Sequence, residues 1–224
     1  MEYPAETLGP NLSLKEMVYE NLRNQIITGK LTPGMRLPEE ELSRAMNISR
    51  APIREALNML HRDGFATISP RRGAIVSLIT PEDIRDNWEM RELLEPYGAK
   101  VSAPRIPDSE IEAMYERITA LLNKGEESFQ EYVQSDLDLH EMFFQYVTNR
   151  QLRDVLMTTK AHSLRMRYYA ENGHAMRADV IREATEEHLT ILNALRQRDP
   201  ELVFQAVLSH IQAGRARAER ADQE

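Results

Sequence analysis

Residues 80–224 show helical periodicity throughout and no strand pattern, which limits this part of the chain to an all-α fold. Proline, glycine and asparagine positions divide it into predicted helices, and the connections between these helices are short. Short connections favour helices that pack antiparallel to their neighbours. The sequence therefore predicts an antiparallel helical bundle, with helices near residues 81–102, 107–123, 126–147, 150–171, 176–198 and 199–221.

The N-terminal segment differs, because short predicted helices are followed there by two short strands. Ser13, Pro38 and Ser49 stand where three helices would begin, as N-caps or, for proline, as the first helical residue. Two strand-like stretches, residues 65–68 and 74–78, then flank a basic turn. Three helices and a β-hairpin wing form the outline of a winged helix-turn-helix. We therefore predict a mainly α protein with domains at residues 11–79 and 80–221.

Charge is distributed unevenly between the two segments. The chain has a formal net charge of −8, yet residues 11–79 hold ten Lys and Arg against seven Asp and Glu. Residues 80–224 hold eighteen Lys and Arg against twenty-seven Asp and Glu. The net total alone would argue against nucleic acid as a partner, but the basic charge is concentrated in the segment with the helix-turn-helix outline.

The third predicted helix and the turn of the hairpin carry the arginines that could contact DNA. Arg50 and Arg54 are four residues apart, opposite the apolar stripe of their helix, so one face can enter a major groove. At the hairpin tip, Arg71, Arg72 and Gly73 suit a phosphate or minor-groove contact. The alternative is a solvated basic face, since helix-turn-helix patterns are degenerate. One recognition helix binds a half-site weakly, which predicts a homodimer on a two-fold operator of double-stranded DNA.

Four polar residues of the helical segment have the chemistry of metal ligands. Asp136 and His140 are four residues apart and so share a helix face, while His188 and His210 lie on the last two predicted helices. Helical bundles build metal sites from inward carboxylates and imidazoles, and a His-rich set suits Zn, Ni, Mn or Fe better than Ca or Mg. An Asp/His pair at this spacing also occurs as a surface hydrogen bond, so spacing alone leaves both interpretations open.

Two stretches of the N-terminal segment carry a family pattern, LTPGMRLPEEEL at residues 31–42 and ISRAPIREAL at residues 48–57, together with Gly64 and Arg72-Gly73. Over about residues 12–78 the chain resembles the DNA-binding domain of GntR-family bacterial transcription regulators. The sequence departs from the pattern at Glu40, in the second helix, where some members carry a DNA-contacting arginine. The resemblance implies DNA-contacting positions at Arg36, Ser49, Arg50, Arg54 and Gly73.

Further motifs follow in the helical segment, namely EMRELLE at residues 89–95, DLDLH at 136–140, TN at 148–149, EHLTIL at 187–192 and SHI at 209–211. Residues 80–220 are similar to the C-terminal ligand-binding domain of the FadR subfamily. This resemblance implies one divalent metal ion per chain, held by Asp136, His140, His188 and His210. It also implies a small carboxylate effector beside the ion.

Arginine side chains of the helical segment are candidates to bind a second charge on such an effector, because a guanidinium binds a carboxylate through two parallel hydrogen bonds. The candidates are Arg91, in the EMRELLE run, and Arg165 and Arg167 on the fourth helix of the segment. An ion pair at the surface or between helices is an equally good interpretation for each arginine taken singly.

Composition narrows the remaining classes of function. The chain has no cysteine, so disulfides, thiolate metal sites and cysteine nucleophiles are excluded. It shows no signal-peptide pattern and no apolar run near the ~20 residues that cross a bilayer, which predicts a cytoplasmic protein without membrane contact.

The alternatives to a ligand-responsive regulator are a metal-dependent enzyme that uses the same Asp/His set and a structural DNA binder. The sequence contains no His-Glu-x-x-His motif, nucleophile elbow or phosphate loop, and a basic helix-turn-helix would be unexplained in an enzyme. A structural DNA binder would not need an acidic second domain with a polar cluster. We therefore predict a regulator without catalytic residues.

Overall fold

The computed structural model describes residues 12–70, 72–122, 124, 129–171 and 178–221. Most of these residues are helical, and the only strands among them form one antiparallel pair. In chain order the elements are α1 (Leu14–Ile27), α2 (Glu39–Met46), α3 (Arg50–Arg62), β1 (Ala66–Ser69), β2 (Gly73–Val76), α4 (Pro81–Ser102), a 3-10 turn (Ala103–Arg105), α5 (Asp108–Leu122), α6 (Phe129–Gln145), α7 (Arg150–Glu171), α8 (Ala178–Arg196) and α9 (Pro200–Ala221).

The predicted fold class is confirmed, with three helices and a β-hairpin followed by helices. The observed helices begin and end within a few residues of the predicted ones, and the strands are shifted by one residue or more at their ends. The chain forms two compact units, each built from two segments that are separate in the sequence. Among the described residues, the first unit comprises those of 12–84 and 161–171, and the second comprises those of 85–160 and 178–221.

In the first unit, α3 packs against α1, α2 and β1. Ser13 is the N-cap of α1, as predicted. The Glu16 carboxylate accepts hydrogen bonds from the backbone N–H and the hydroxyl of Ser13. The buried face of α3, with Ile53 and Leu60 among others, meets Leu22 of α1 in one apolar core. The hairpin pairs Ala66 with Val76 at its base and Ser69 with Gly73 at its tip.

The second half of α7 also belongs to the first unit. Ala161 joins the apolar core there, and the His162 ring stacks on Phe65 with 4.4 Å between ring centroids. His162 Nε2 lies 2.8 Å from the backbone oxygen of Asp63, and a carbonyl oxygen only accepts, so Nε2 carries the hydrogen. Arg165 donates to the backbone oxygen of Ser77. The histidine and the arginine therefore attach this half-helix to the winged helix-turn-helix.

In the second unit, α8 packs against α5, α6 and α9, and α5 also packs against α6. The apolar core contains Ile118, Phe143, Leu195 and Val207 from these four helices. A Cβ atom on Gly98 of α4 would lie 2.9 Å from Leu156 Cδ1 of α7, so a larger residue at this position would force the Leu156 side chain to move. Within the described residues, no helix combines the length and the apolar character that a membrane span requires.

Candidate metal centre and nucleic-acid interface

The structure brings together the four residues that the sequence singled out as metal ligands. Asp136 and His140 lie one turn apart on α6, His188 lies on α8 and His210 lies on α9. All four side chains are buried, and each offers one ligand atom within 4.8 Å of the others. Three helices of the second unit therefore deliver one carboxylate and three imidazoles to a single point in its interior.

The distances inside this cluster are short but do not complete its hydrogen bonding. His188 Nε2 lies 3.2 Å from Asp136 Oδ1, and His140 Nε2 lies 3.8 Å from the same oxygen. Among the residues that the structure describes, no nitrogen of His140 or His188 has a partner in hydrogen-bond geometry. Buried polar atoms are seldom left in this state, so the cluster has the character of an incomplete coordination sphere.

Burial keeps two of the imidazoles neutral. It lowers the pKa of His188 from its ordinary value despite the nearby carboxylate of Asp136, and it lowers the pKa of His210 to about 3 despite the hydrogen bond to Glu187. A neutral imidazole has a lone pair on one ring nitrogen, which is the form that binds a metal ion. The interior of the unit therefore prepares these side chains as ligands.

A glutamate on α4 faces the outer side of His140. Glu95 Oε2 lies 2.6 Å from His140 Nδ1, a close contact that lacks the alignment of a hydrogen bond. The other carboxylate oxygen of Glu95 accepts a 2.7 Å hydrogen bond from Arg91 Nε. Burial alone would raise the pKa of Glu95, but the charge of Arg91 and the neighbouring His140 outweigh burial and lower it to about 2. Glu95 is therefore ionised.

A second glutamate has the same relation to His210. Glu187 Oε2 lies 2.8 Å from His210 Nδ1 in hydrogen-bond geometry, and both Glu187 oxygens accept hydrogen bonds from Arg217, at 2.6 and 2.8 Å. Burial opposes ionisation here too, but the hydrogen bonds from Arg217 and His210 lower the pKa of Glu187 to about 2. Two histidines of the cluster thus each touch a glutamate that is paired with an arginine.

Other acidic residues near the cluster in sequence point elsewhere. Asp138 accepts a hydrogen bond from Arg117 at 2.6 Å, and Glu141 accepts one from Lys160 at 2.5 Å. Asp138 and Glu141 are therefore paired with basic side chains outside the cluster. Glu187, which precedes His188 in the chain, instead accepts a hydrogen bond from His210 and so lies against a candidate ligand.

In the first unit, the predicted DNA-contacting arginines of α3 are exposed and paired with acids of α2. The side chains of Arg50 and Arg54 are 59% and 65% exposed. Arg54 donates from Nε and Nη2 to the carboxylate of Glu39, at 2.9–3.2 Å, and Arg50 Nη2 lies 3.2 Å from Glu40. Glu40, the departure from the family pattern, therefore stands beside a predicted recognition residue.

The remaining predicted DNA contacts lie at the start of α3 and around the hairpin. Ser49 is exposed and is the N-cap of α3. Arg36 is exposed, and its backbone forms an isolated antiparallel β-bridge with Ile75 of β2 in the wing. Arg72 and Gly73 are exposed at the hairpin tip, where Gly73 has a φ of 74° and open space around its Cα. Arg71 lies outside the described residues. The DNA contacts themselves stay predictions.

The three arginines proposed from sequence as effector contacts have different surroundings. Arg91 is buried against Glu95, and its guanidinium carbon lies 4.7 Å from the centre of the Trp88 ring. Arg165 is buried in the first unit, where it donates to Ser77, and Arg167 is half-buried on the same half-helix. The structure thus gives Arg91 and Arg165 partners within the protein, and a contact with an effector stays a prediction for all three.

Comparison with known proteins bears on both units. The family model described as "Bacterial regulatory proteins, gntR family" matches residues 14–76, and the FCD domain model matches residues 86–213. The Nta operon transcriptional regulator of Aminobacter aminovorans is 31% identical over 180 residues, which cover 80% of this chain and 82% of that protein. The chain belongs to the GntR family and carries an FCD domain.

Other relatives of this GntR-family regulator agree. The HTH-type transcriptional repressor RspR of Escherichia coli (strain K12) is 28% identical over 209 residues, which cover 92% of this chain and 89% of RspR. The structure of E. coli McbR/YncC has a TM-score of 0.75 at 19% identity and covers 94% of this chain and 99% of its own. The structure of a GntR transcriptional regulator from Rhodococcus sp. RHA1 has a TM-score of 0.68 at 21% identity. The match covers 92% of this chain and 97% of the Rhodococcus chain.

The predicted GntR-family membership is therefore confirmed, and the protein is a transcriptional regulator with a GntR helix-turn-helix and an FCD effector-binding domain. The family and its relatives point to transcription regulation rather than catalysis. FCD domains are known to bind metals, and the Asp/His cluster lies inside the matched range.

Sequence reasoning missed the residues that surround the cluster. Glu95 follows Arg91 by four residues, so their pairing was readable as a helical ion pair, but nothing local shows that the pair is buried. Arg217 follows His210 by seven residues, which puts both on one face of α9. That spacing was the available signal for Arg217. The contact between Glu187 and His210 joins two helices and has no local signal.

Proposed function

We propose that this regulator belongs to the FadR subfamily and binds a two-fold operator as a homodimer. In this proposal a small carboxylate metabolite controls operator affinity by binding beside a divalent ion in the FCD domain. The ion is held by Asp136, His140, His188 and His210. The observation that carries the proposal is the convergence of these four buried side chains, with ligand atoms within 4.8 Å of one another.

The donor set fits a divalent transition metal. Three imidazoles and one carboxylate suit Zn, Ni, Mn or Fe, whereas Ca and Mg prefer oxygen ligands. The nitrogens of His140 and His188 lack hydrogen-bond partners among the described residues. A bound ion would give one nitrogen of each ring a coordination bond. A bound ion supplies Lewis acidity and open coordination positions that a small molecule can fill. Four protein ligands leave one or two such positions on a five- or six-coordinate ion.

The charge of the centre favours an anion as the further ligand. A divalent ion and Asp136 leave one net positive charge, because histidine binds a metal ion as the neutral imidazole and each nearby glutamate is paired with an arginine. Burial of an uncompensated charge is costly, so a bound carboxylate would stabilise the centre by neutralising it. A neutral metabolite would leave the charge in place. A carboxylate is therefore favoured over a sugar or an amine.

The homodimer has separate support from α4. Met90, Leu93 and Tyr97 are 39%, 63% and 51% exposed, and their spacing of three and four residues puts them on one helix face. Exposed large apolar residues arranged as a stripe are typical of interaction surfaces. We infer that this face of α4 packs against a second copy of the chain. Leu93→Glu should give a monomer in size-exclusion chromatography with light scattering, and Leu202→Glu, at another exposed leucine on α9, should leave the dimer intact.

The metal assignment is tested by elemental analysis of the purified protein and its variants. Wild type should hold about one divalent ion per chain, and His188→Ala or His210→Ala should hold far less. His162→Ala is the control, because this histidine contacts Phe65 and Asp63 in the first unit. A wild-type protein that takes up no Zn, Ni or Mn after incubation would refute the assignment.

Control by an effector is tested on the metal-loaded protein with mono- and dicarboxylates, hydroxy acids and sugar acids. At least one should raise the melting temperature of wild type but not of His188→Ala, and the same compound should release operator DNA. Effector binding and operator binding should weaken each other by the same factor, since coupling between sites is reciprocal. A compound that stabilises both proteins equally does not bind at the ion.

A further inference from the structure

We propose that Glu95 and Glu187 are positioning residues that fix His140 and His210 with hydrogen on Nδ1, so that both rings present Nε2 to the ion. Arg91 and Arg217 keep the two carboxylates in place, which makes Arg91 part of this support and not an effector contact. The inference deepens the proposed function, because it rests on a metal bound by the same four residues. It assigns roles to four residues beyond the ligands themselves.

The position of the imidazole hydrogen is best defined for His210. Its Nδ1 lies 2.8 Å from Glu187 Oε2 in hydrogen-bond geometry, and an ionised carboxylate can only accept. Nδ1 must therefore carry the hydrogen. A neutral imidazole has one hydrogen, so Nε2 has the lone pair and is the nitrogen available to a metal. In metal sites generally, a histidine ligand donates its other N–H to a carboxylate or carbonyl, which fixes the tautomer and the ring orientation.

His140 has the same arrangement of atoms with respect to Glu95 of α4. Its Nδ1 is 2.6 Å from Glu95 Oε2, whereas its Nε2 is the nitrogen that faces Asp136 Oδ1, at 3.8 Å. The contact with Glu95 is close without being aligned as a hydrogen bond. The χ2 torsion of histidine is soft, so a small rotation of the ring aligns the N–H with the carboxylate.

Each carboxylate is held by an arginine from its own or a neighbouring helix. Arg91 lies one turn before Glu95 on α4, and both side chains are buried. Arg217 on α9 donates to both oxygens of Glu187 on α8. A guanidinium fixes a carboxylate in one orientation more firmly than a lysine does, because its donors lie in a rigid plane. The chain thus repeats an arginine–glutamate–histidine series at two of its three histidine ligands.

The tautomers can be read directly in wild-type protein by long-range ¹H–¹⁵N NMR of the imidazoles, assigned with single His→Gln variants. At pH 7.5, chelator-treated protein should show a protonated Nδ1 and an unprotonated Nε2 at His140 and His210. Addition of zinc should shift the Nε2 signals of both rings. Hydrogen on Nε2 of His210, or zinc on Nδ1 of either ring, would overturn the inference.

The functional weight of the two glutamates is tested by zinc affinity, measured by competition with a chromophoric chelator. Glu187→Gln and Glu95→Gln should each weaken zinc binding by about 10- to 100-fold, the usual range for loss of a group that orients a ligand. The matched controls are Glu183→Gln and Glu92→Gln. Glu183 lies one turn before Glu187 on α8, 3.7 Å from Arg217. Glu92 lies on α4, like Glu95, and pairs with Arg215 of α9. Both controls should bind zinc within about threefold of wild type.

The outcomes separate this inference from the proposed metal site. If wild type binds no zinc, the metal proposal fails, and the tautomers of the chelator-treated protein still test the hydrogen positions. If wild type binds zinc and Glu187→Gln binds equally tightly, the inference fails and the metal proposal stands. Glu187 is partly exposed, so Glu187→Gln provides a test even if Glu95→Gln, which leaves Arg91 buried without its partner, does not fold.

Discussion

Arginine–glutamate pairs occur in both units of the protein, but in opposite surroundings. In the first unit, Arg54 pairs with Glu39 at the surface, and the arginine side chain is 65% exposed. In the second unit, Arg91 pairs with Glu95, and the two side chains are 9% and 3% exposed. The same pair of chemical groups is therefore exposed to water on the predicted DNA-binding surface and buried beside the Asp/His cluster in the second unit.

The difference in exposure determines what each pair can do. An exposed pair contributes ~0–1 kcal/mol, because water screens the charges and side-chain entropy opposes the contact. Its arginine can leave the glutamate for a phosphate or a base at little cost. A buried pair is costly to break, since one partner would remain as an isolated charge. The surface pairs are thus suited to exchange with a ligand, and the buried pairs are suited to hold a fixed geometry.

The largest expected effect is on stability when a buried pair is broken. Arg91→Met leaves Glu95 buried without its arginine and should lower the free energy of unfolding by about 3–5 kcal/mol. The chain has one tryptophan, Trp88, and it lies in the second unit, so its fluorescence during urea unfolding reports on that unit. Arg117→Met is the control, since Arg117 is 41% exposed in its pair with Asp138 and should cost less than about 1 kcal/mol. Equal losses in the two variants would contradict the comparison.

The next effect concerns DNA and the exposed arginine of α3. Arg54→Ala should weaken operator binding by about 1–3 kcal/mol if Arg54 contacts a base, with a much smaller loss on scrambled DNA. Lys15→Ala is the control, because Lys15 pairs with Glu55 at the surface and is expected to have little influence on DNA binding. Mobility shifts on both DNA sequences measure these changes. If the losses are equal on both sequences, Arg54 contacts phosphate only.

Acid should destabilise the chelator-treated second unit in a defined window. The folded-state pKa values of His188 and His210 are lowered, so below about pH 6.5 the unfolded state binds more protons and the free energy of unfolding falls. For His210 the loss continues down to about pH 3. Each such histidine costs at most ~1.4 kcal/mol per pH unit. Glu95 and Glu187, with pKa values of about 2, add a loss of the same sign below about pH 4.5.

Urea unfolding followed by Trp88 fluorescence at pH 7.5, 6.5 and 5.5 measures this slope. His210→Gln should have a shallower slope than wild type between pH 6.5 and 5.5, because one of the groups that take up protons on unfolding is gone. Glu183→Gln, whose carboxylate is exposed, should follow wild type. A stability that is constant across this window in wild type would show that the histidines are already protonated or well solvated in the folded protein.

The sequence predicted the helices of both units, because burial of one helix face leaves a period of 3.6 residues along the chain. It did not show which core each face meets. The part of α7 that begins at Ala161 continues the periodicity of the helix and yet packs in the first unit, where His162 stacks on Phe65. Four metal ligands were predicted by type and by family resemblance. The glutamate behind His210 lies on another helix, so only the tertiary structure could reveal it.

The smallest expected effect concerns Glu40, whose carboxylate lies 3.2 Å from Arg50 Nη2 and 3.6 Å from Arg44 Nη2. This glutamate partly neutralises two exposed arginines and repels phosphate, so Glu40→Gln should strengthen binding to any DNA sequence by up to about fivefold, or ~1 kcal/mol. Binding should also become steeper in salt, by up to about one unit of the log–log slope, because one more phosphate contact is neutralised by protein. Glu55→Gln removes the same charge beside Lys15 and should change affinity less. Fluorescence anisotropy on operator and scrambled duplexes from 50 to 200 mM salt measures both quantities. Weaker binding to the operator alone would mean instead that Glu40 holds Arg50 in the orientation that reads the base.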